Sequence, residues 1–184
     1  YKIQKKPRGI AESFLIGEKF IGNDNVCLIL GDNIFHGIPY NQILPKNNKF
    51  KGSKIILYKV PDPERYGVAK FNSKGKVINI VEKPKKNISN YAVTGIYFYD
   101  NNVIKYAKKL KPSSRNELEI TDINNSYIKD KSLDYFLIKP GGVWLDAGTE
   151  KSLLQSSVFI QTMQERQNIQ ISSPEIIAYK NGWI

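Results

Sequence analysis

The chain has 184 residues, of which 41% are hydrophobic and 24% are charged, and its formal net charge is +11. This length and composition suit one globular domain and exclude an intrinsically disordered chain. Cys27 is the only cysteine, which excludes an intrachain disulfide and a cysteine-ligated zinc site.

The basic charge raises nucleic acid as a partner, but the type of basic residue argues against it. Only four of the 28 basic residues are arginines, whereas readers of bases and phosphates favour the guanidinium group. No apolar segment has the roughly 18 residues that a membrane span needs. We therefore expect no specific nucleic-acid partner and no membrane partner.

The first predicted element is a helix over residues 10–21, where apolar residues recur at helical spacing. The apolar run 26–30 ends at Gly31 and Asp32 and predicts a strand that is covered on both faces. Further strands are predicted at residues 54–60, 67–71, 77–82, 91–99 and 134–138, and further helices at 102–110, 119–128 and 150–166. Ser173 and Pro174 indicate the start of a last helix.

This alternation of strands and helices predicts one α/β domain over residues 1–184, with three layers and a mixed, mostly parallel sheet. No internal repeat and no linker divides the sequence. In such folds ligands bind beyond the carboxyl ends of the strands, which draws attention to the polar residues that follow apolar runs.

Two aspartates stand in that position. Asp32 follows the apolar run 26–30, and Asp146 follows Trp144 and Leu145; each has a glycine close by. Two such carboxylates can share one Mg²⁺ and leave its other positions to water and phosphates. The alternative is that each aspartate only caps a turn.

Two other positions carry charge at the ends of predicted elements. Glu82 and Lys83 end a strand before Pro84, which breaks the strand and allows both side chains to turn the same way; a surface pair is the alternative. Arg115 lies in a polar loop before a helix, a setting that suits a phosphate, although a solvent-facing arginine is equally compatible. His36 is the only histidine, and the sequence places no partner histidine or cysteine beside it. We therefore expect no histidine metal site and no catalytic dyad.

Taken together, seven segments resemble the sugar nucleotidyltransferases. In chain order they read QKKPRGIA (4–11), LGDNIF (30–35), DPERYGV (62–68), VEKP (81–84), SNYAVTGIYFYD (89–100), ELEITDIN (117–124) and WLDAGT (144–149). The resemblance extends over essentially the whole chain, and seven segments in the right order are far more specific than any one of them. It implies the nucleotide-diphospho-sugar transferase fold, which is Rossmann-like.

The resemblance also implies the activity: transfer of a nucleotidyl group from dTTP to glucose 1-phosphate, with Mg²⁺ as cofactor, in the first step of dTDP-rhamnose synthesis. It implies a homotetramer in the cytoplasm. Roles follow for eleven positions. Gln4 and Gly9 read the thymine; Asp32 and Asp146 hold Mg²⁺; Tyr66, Gly67, Glu82, Lys83 and Val93 bind the sugar and its phosphate; Arg115 reaches the phosphates; Trp144 lines the sugar pocket.

The sequence departs from the family in a few places. Lys5 replaces a proline and Ile10 replaces a leucine. The family's glycine-rich triphosphate loop lies upstream of the region that matches, so we expect this chain to be a fragment that lacks that loop, the first strands and the last helices, and to be inactive by itself. Three alternatives stay open: a uridylyl- or cytidylyltransferase of the same fold, a catalytically inactive sugar-nucleotide-binding subunit, and a basic nucleic-acid-binding module.

Overall fold

The computed structural model describes residues 1–44 and 50–184. The chain divides into two compact units, one formed by Tyr1–Gly31 with His36–Val143 and the other by Asp32–Phe35 with Trp144–Ile184. Both units lie within the single domain predicted over residues 1–184, which stays a prediction.

The strands of the described residues are β1 (Val26–Ile29), β2 (Asn33–His36), β3 (Ser53–Lys59), β4 (Gly67–Phe71), β5 (Val77–Glu82), β6 (Tyr91–Tyr99), β7 (Leu133–Leu137) and β8 (Val143–Asp146). The α-helices are α1 (Glu12–Ile16), α2 (Glu18–Ile21), α3 (Tyr40–Ile43), α4 (Asn102–Ala107), α5 (Ile120–Lys129), α6 (Glu150–Gln167) and α7 (Pro174–Lys180), and a short 3-10 helix covers Pro63–Arg65. The helix predicted over residues 10–21 is interrupted at Gly17, and β2, α3 and β8 were not predicted as elements.

The main sheet is built around β6. One edge of β6 pairs with β3, and the other pairs with β1 along Ile96–Tyr99 and with β4 at Ala92. β3 also pairs with β7, and β4 with β5, so that the order is β5-β4-β6-β3-β7. Eight of the nine β6 residues are buried. Strands flank β6 on both edges, and side chains pack on both faces of the sheet at this strand.

The α/β class and the mixed sheet are confirmed, but the expectation of a mostly parallel sheet is wrong for the pairings seen in the described residues. β3 and β7 are parallel, whereas β1 with β6, β3 with β6, β4 with β5 and β4 with β6 are antiparallel. The short turn 72–76 between β4 and β5 forces an antiparallel hairpin, because a parallel pair needs a long crossover.

The strand predicted to be covered on both faces is also different from expectation. β1 alternates between half-buried and exposed residues, with Cys27 exposed and Ile29 62% exposed. Within the described residues β1 pairs with β6 alone. The unbroken apolar run 26–30 therefore predicted a strand correctly but did not predict its position in the sheet. The central strand of the sheet is β6.

The core of the first unit lies between the sheet and helices α1, α4 and α5. Phe14 of α1 meets Tyr99 of β6 edge to face, with ring centroids 5.5 Å apart, and Tyr127 of α5 stacks on the same Tyr99 at 5.5 Å. Alternate residues of β3 and β6, such as Ile56 and Phe98, point away from this cluster and are buried as well. Lys54, on the same side of β3 as Ile56, donates from Nζ to the carbonyl of Gln42, which brings α3 to that second face.

The second unit consists of short strand segments, α6 and α7. Thr149 and Ser152 form a capping box at the start of α6, and Ser173 accepts from the backbone N–H of Ile176 at the start of α7, as the sequence predicts. The apolar residues predicted to pack along α6 include Leu153 and Leu154, which are 54% and 67% exposed. The unit has too few other elements to cover that face. No helix in the described part of the chain is long and apolar enough to span a membrane.

Asp100 anchors the junction of β6, α4 and α5. Its carboxylate accepts from the backbone N–H of Gly52 at 2.7 Å, from the backbone N–H of Asn102 at 3.1 Å and from the Tyr127 hydroxyl at 2.8 Å. The side-chain amide of Asn102 also donates to Oδ2 at 3.1 Å. The Asp100 side chain is buried, and these hydrogen bonds stabilise its charge. Hydrogen bonds to a buried charged group contribute more than those between neutral groups.

We expect Asp100→Asn in the full-length protein to lower the free energy of unfolding by about 2–4 kcal/mol, because an amide cannot accept from all of these donors. Urea unfolding measures the change. Asp130→Asn is the matched control: Asp130 also accepts from a tyrosine hydroxyl, that of Tyr106, but it is exposed, so its loss should cost less than about 0.5 kcal/mol. Equal effects of the two substitutions would contradict this account.

Candidate active site

Asp32 and Asp146 are brought together by the two-stranded sheet of the second unit. Asp32 comes directly before β2 and Asp146 is the last residue of β8, and these strands pair. The backbone N–H of Ala147 donates to the carbonyl of Asp32 at 2.8 Å. The pairing thus fixes the two aspartates next to each other, as the prediction of a shared cation site requires.

Gly148 lies at the point where the two carboxylates converge. A Cβ on Gly148 would lie 3.1 Å from Oδ1 of Asp146 and 3.3 Å from Oδ2 of Asp32. Any other side chain would therefore enter the space between the two carboxylate oxygens. The backbone N–H of Gly148 also donates to Oδ1 of Asp146 at 3.2 Å.

The donor set of this position suits a hard cation. The described residues hold no group of three or more His, Cys, Asp or Glu side chains that could bind a metal, so Asp32 and Asp146 would supply two carboxylates and no more. Mg²⁺ commonly binds through one or two carboxylates and completes its octahedron with water and phosphate oxygens. The two residues therefore fit Mg²⁺ that is shared with a phosphate ligand.

Asn33 is a residue of this site that the sequence analysis missed. Its Nδ2 donates to Oδ1 of Asp32 at 2.7 Å, and its Oδ1 accepts from the indole N–H of Trp144 at 2.6 Å. The amide therefore holds one oxygen of Asp32 and leaves the other directed at Gly148. Trp144 is 6% exposed and donates its N–H to Asn33, so its predicted contact with a sugar would be made by the ring; that contact stays a prediction.

In the first unit, the polar end of β5 forms a second cluster. β5 ends at Glu82, and Lys83 has a φ of 43°, a left-handed conformation that is uncommon for lysine. The backbone N–H of Lys83 donates to the carbonyl of Tyr66 at 2.9 Å. The strand thus stops before Pro84, as predicted, and Glu82 and Lys83 do not alternate as strand residues would.

A glycine is needed at position 67 because a hydrogen bond between two other side chains lies directly beside it. Thr121 donates from Oγ1 to Oε2 of Glu82 at 2.6 Å, and a Cβ on Gly67 would lie 3.1 Å from that hydroxyl and 3.2 Å from that carboxylate oxygen. The structure therefore joins two predicted residues, Gly67 and Glu82, through Thr121, which the sequence analysis had not assigned a role.

Arg115 is surrounded by carboxylates. Its Nη2 lies 2.7 Å from Glu119, 3.4 Å from Glu82 and 3.5 Å from Glu117. Hydrogen bonding to Glu119 raises the pKa of the Arg115 guanidinium above its already high value. Arg115 therefore joins the Glu82 cluster, while its predicted contact with phosphates stays a prediction.

The predicted base-reading residues occupy one segment near the start of the chain. Gln4 donates from Nε2 to the carbonyl of Gly9 at 3.1 Å and to Oε2 of Glu12 at 2.6 Å. Gly9 has a φ of 96°, and a Cβ there would lie 2.4 Å from the carbonyl oxygen of Leu118. Leu118 is the partner that sequence reasoning missed: its N–H donates to Arg8 and its carbonyl accepts from Ala11.

The two remaining sugar-site predictions are Val93 and Tyr66. Val93 is a residue of β6, belongs to the core and is 8% exposed. Tyr66 follows the 3-10 helix, and the Arg65 guanidinium lies 5.2 Å from the centre of its ring, within the range of a cation–π contact. Their contacts with a ligand stay predictions.

Residues 1–163 match the family described as nucleotidyl transferase, and the chain belongs to that family. It is 48% identical over 185 residues to the glucose-1-phosphate thymidylyltransferase of Neisseria meningitidis, an alignment that covers 100% of this chain and 64% of the relative. The Xanthomonas campestris glucose-1-phosphate thymidylyltransferase is 49% identical, with 100% and 63% covered. The chain thus spans less than two thirds of the length of these relatives, and the resemblance read from the seven segments is confirmed.

Solved structures agree with this assignment. A Bacillus anthracis protein, provisionally described as a glucose-1-phosphate thymidylyltransferase, is 48% identical with a TM-score of 0.75, over 86% of this chain and 63% of that one. A UDP-glucose pyrophosphorylase is 25% identical with the same TM-score of 0.75, over 88% and 63%. The fold is therefore the one that nucleotidyltransferases of different base preference share.

We expect Gly9→Ala to detach the segment 4–11 from Leu118, because the added methyl group overlaps a backbone carbonyl that cannot move aside. Trypsin should then cut after Lys5 or Arg8 at least about 10-fold faster in the full-length protein, since local opening exposes these bonds. Gly75→Ala is the matched control, since Gly75 also has a positive φ, 73°, but has no atom within 4 Å of an added Cβ. Unchanged cleavage in Gly9→Ala would show that the contact with Leu118 does not hold the segment.

Proposed function

We propose that the full-length protein containing this chain transfers the thymidylyl group of dTTP to glucose 1-phosphate, giving dTDP-glucose and pyrophosphate. The observation that carries the proposal is the convergence of Asp32 and Asp146 at Gly148, in a chain whose relatives of 48–49% identity bear the name of that activity. The first step of dTDP-rhamnose synthesis, a cytoplasmic location and a homotetramer are further parts of the proposal.

The reaction needs no side chain that acts as a general base. A phosphate oxygen of the sugar 1-phosphate is already an anionic nucleophile and attacks the α-phosphorus of dTTP, with pyrophosphate leaving in line. The barrier lies in bringing anions together and aligning them. Two carboxylates that can hold a divalent cation are suited to that task.

Asp32 and Asp146 are the residues that would hold Mg²⁺. When bound, the ion supplies charge neutralisation and a template for phosphate oxygens. Asn33 fixes the rotamer of Asp32 by donating to Oδ1, and Gly148 keeps the space between the carboxylates open. Both residues act by positioning carboxylate oxygens before the substrate arrives.

Residues of the first unit would bind the sugar phosphate. Lys83 supplies a positive charge directly after the strand end, and a unit charge 4 Å from a phosphate oxygen contributes about 4 kcal/mol at an effective dielectric constant near 20. Glu82 supplies acceptors for sugar hydroxyls. Tyr66, Gly67 and Val93 would form the wall beside them, and Arg115 would contribute through its charge.

The side-chain amide of Gln4 is suited to bind a pyrimidine base with a protonated N3. Both of its hydrogen bonds use Nε2 as the donor, and the amide oxygen Oε1 is an acceptor for an N3–H group. Thymine and uracil carry that proton and cytosine does not. This orientation of the Gln4 amide thus favours a thymidylyl- or uridylyltransferase over a cytidylyltransferase.

A uridylyltransferase is the second candidate, because the UDP-glucose pyrophosphorylase structure shares the fold at a TM-score of 0.75. Its 25% identity is far below the 48–49% of the thymidylyltransferase relatives, and we therefore rank it second.

Substitution of either candidate metal ligand tests the chemistry. We expect Asp32→Asn and Asp146→Asn each to lower the kcat of the full-length enzyme at least about 100-fold, which corresponds to about 2.7 kcal/mol of transition-state stabilisation. Pyrophosphate release measures the rate. Asp24→Asn, on the exposed turn before β1, is the control and should leave the rate within about twofold; near-normal rates in either site variant would reject the shared-metal assignment.

The base preference is tested with dTTP, UTP, CTP and ATP, each with glucose 1-phosphate. We expect kcat/KM to be highest for dTTP and at least about 10-fold lower for CTP, because cytosine lacks the N3 proton that Gln4 would bind. Preference for UTP would favour the second candidate. Binding of dTDP-glucose without turnover of any triphosphate would identify an inactive sugar-nucleotide-binding subunit instead.

A further inference from the structure

Glu119, the residue directly before α5, binds the guanidinium group of Arg115. Arg115 donates from Nε to Oε1 of Glu119 at 3.2 Å and from Nη2 to Oε2 at 2.7 Å, which makes the pair bidentate. The Ser113 hydroxyl donates to the same Oε1 at 2.6 Å. The side chain of Glu119 is only 10% exposed, so this carboxylate is buried and its main positive partner is Arg115.

That burial determines what Arg115 can do. If Arg115 moved to a phosphate, Glu119 would keep the Ser113 hydroxyl but lose its cation, and removing one partner of a buried ion pair is strongly unfavourable. Arg115 is therefore tied to Glu119, and Nη2 also reaches Oε1 of Glu82 at 3.4 Å. The guanidinium acts as a bridge between the two glutamates.

Glu82 is gripped at both oxygens. Arg115 contacts Oε1, and the buried hydroxyl of Thr121 donates to Oε2 at 2.6 Å. Each carboxylate oxygen has two acceptor positions, so each retains one for a further donor. The carboxylate of Glu82 is thereby fixed in direction while it can still accept hydrogen bonds from hydroxyl groups.

We propose that Glu119 is a positioning residue for the sugar half of the substrate: it anchors Arg115, and Arg115 together with Thr121 orients Glu82 towards the hydroxyls of the hexose 1-phosphate. This rests on the proposed function and deepens it, because it makes Arg115 part of sugar recognition through Glu82, in addition to the charge that it would contribute beside a phosphate. Glu119 touches no substrate and acts only through Arg115.

Glu119→Gln in the full-length enzyme tests the proposal, and Glu117→Gln is the matched control. Glu117 also lies near Nη2 of Arg115, at 3.5 Å, but its side chain is 35% exposed and it makes no bidentate pair. We expect Glu119→Gln to raise the KM for glucose 1-phosphate at least about 10-fold, while the KM for dTTP and kcat at saturation change less than about threefold. Glu117→Gln should leave all three within about twofold.

Arg115→Lys is the second variant, since it keeps the charge but loses the guanidinium fork. It should reproduce the rise in the KM for glucose 1-phosphate. Titration calorimetry with glucose 1-phosphate, on variants whose melting temperature matches the parent, separates loss of binding from loss of folding. An unchanged KM in Glu119→Gln, an equal rise in Glu117→Gln, or a fall in kcat without a rise in KM would overturn the proposal.

The failure of this proposal is distinguishable from failure of the proposed function. If the parent enzyme makes no dTDP-glucose from dTTP and glucose 1-phosphate, the function itself is wrong. If the parent enzyme is active and Glu119→Gln has the kinetics of the parent, only the positioning role is wrong.

Discussion

The pairing of β2 with β8 is the constraint on which the proposed chemistry depends. It joins segments that are distant in the sequence, and its hydrogen bond from Ala147 to Asp32, 2.8 Å long, fixes both aspartates relative to one backbone frame. Two carboxylates that face one point repel each other, so they stay together only where the backbone and neighbouring donors hold them. The N–H of Gly148 on Asp146 and the amide of Asn33 on Asp32 supply those donors.

The first turn of α5 has the same function in the other unit. Glu119 and Thr121 lie around the helix start, and from there they reach Arg115 and Glu82 respectively. Polar side chains at this helix start thus hold the loop that carries Arg115 and the end of β5. The glycine at position 67 follows from this arrangement, because a methyl group there would separate Thr121 from Glu82.

Most of the elements could be predicted from the sequence, and the two aspartates could be chosen as candidates, because both depend on local pattern; that the aspartates hold a cation stays a prediction. An apolar run followed by aspartate and glycine is visible in a few residues, and the strand over 91–99 was predicted with the bounds of β6. The roles of Asn33, Glu119 and Leu118 were missed because each depends on a partner that only folding brings close. The central place of β6, the exposure of β1 and the mostly antiparallel sheet depend on strand order, which periodicity does not contain. The break at Gly17 had a signal, since glycine disfavours a helix interior.

Leu118 connects two of the predicted binding elements. Its backbone holds the segment around Gly9 through hydrogen bonds with Arg8 and Ala11, and the next residue along the chain is Glu119, the anchor of Arg115. A shift of Leu118 would therefore move both the segment with Gln4 and the cluster with Glu82. Because Gly9 has no side chain, the two backbones lie in direct contact, and the position of the segment 4–11 is coupled to that of the Glu82 cluster through the peptide unit between Leu118 and Glu119.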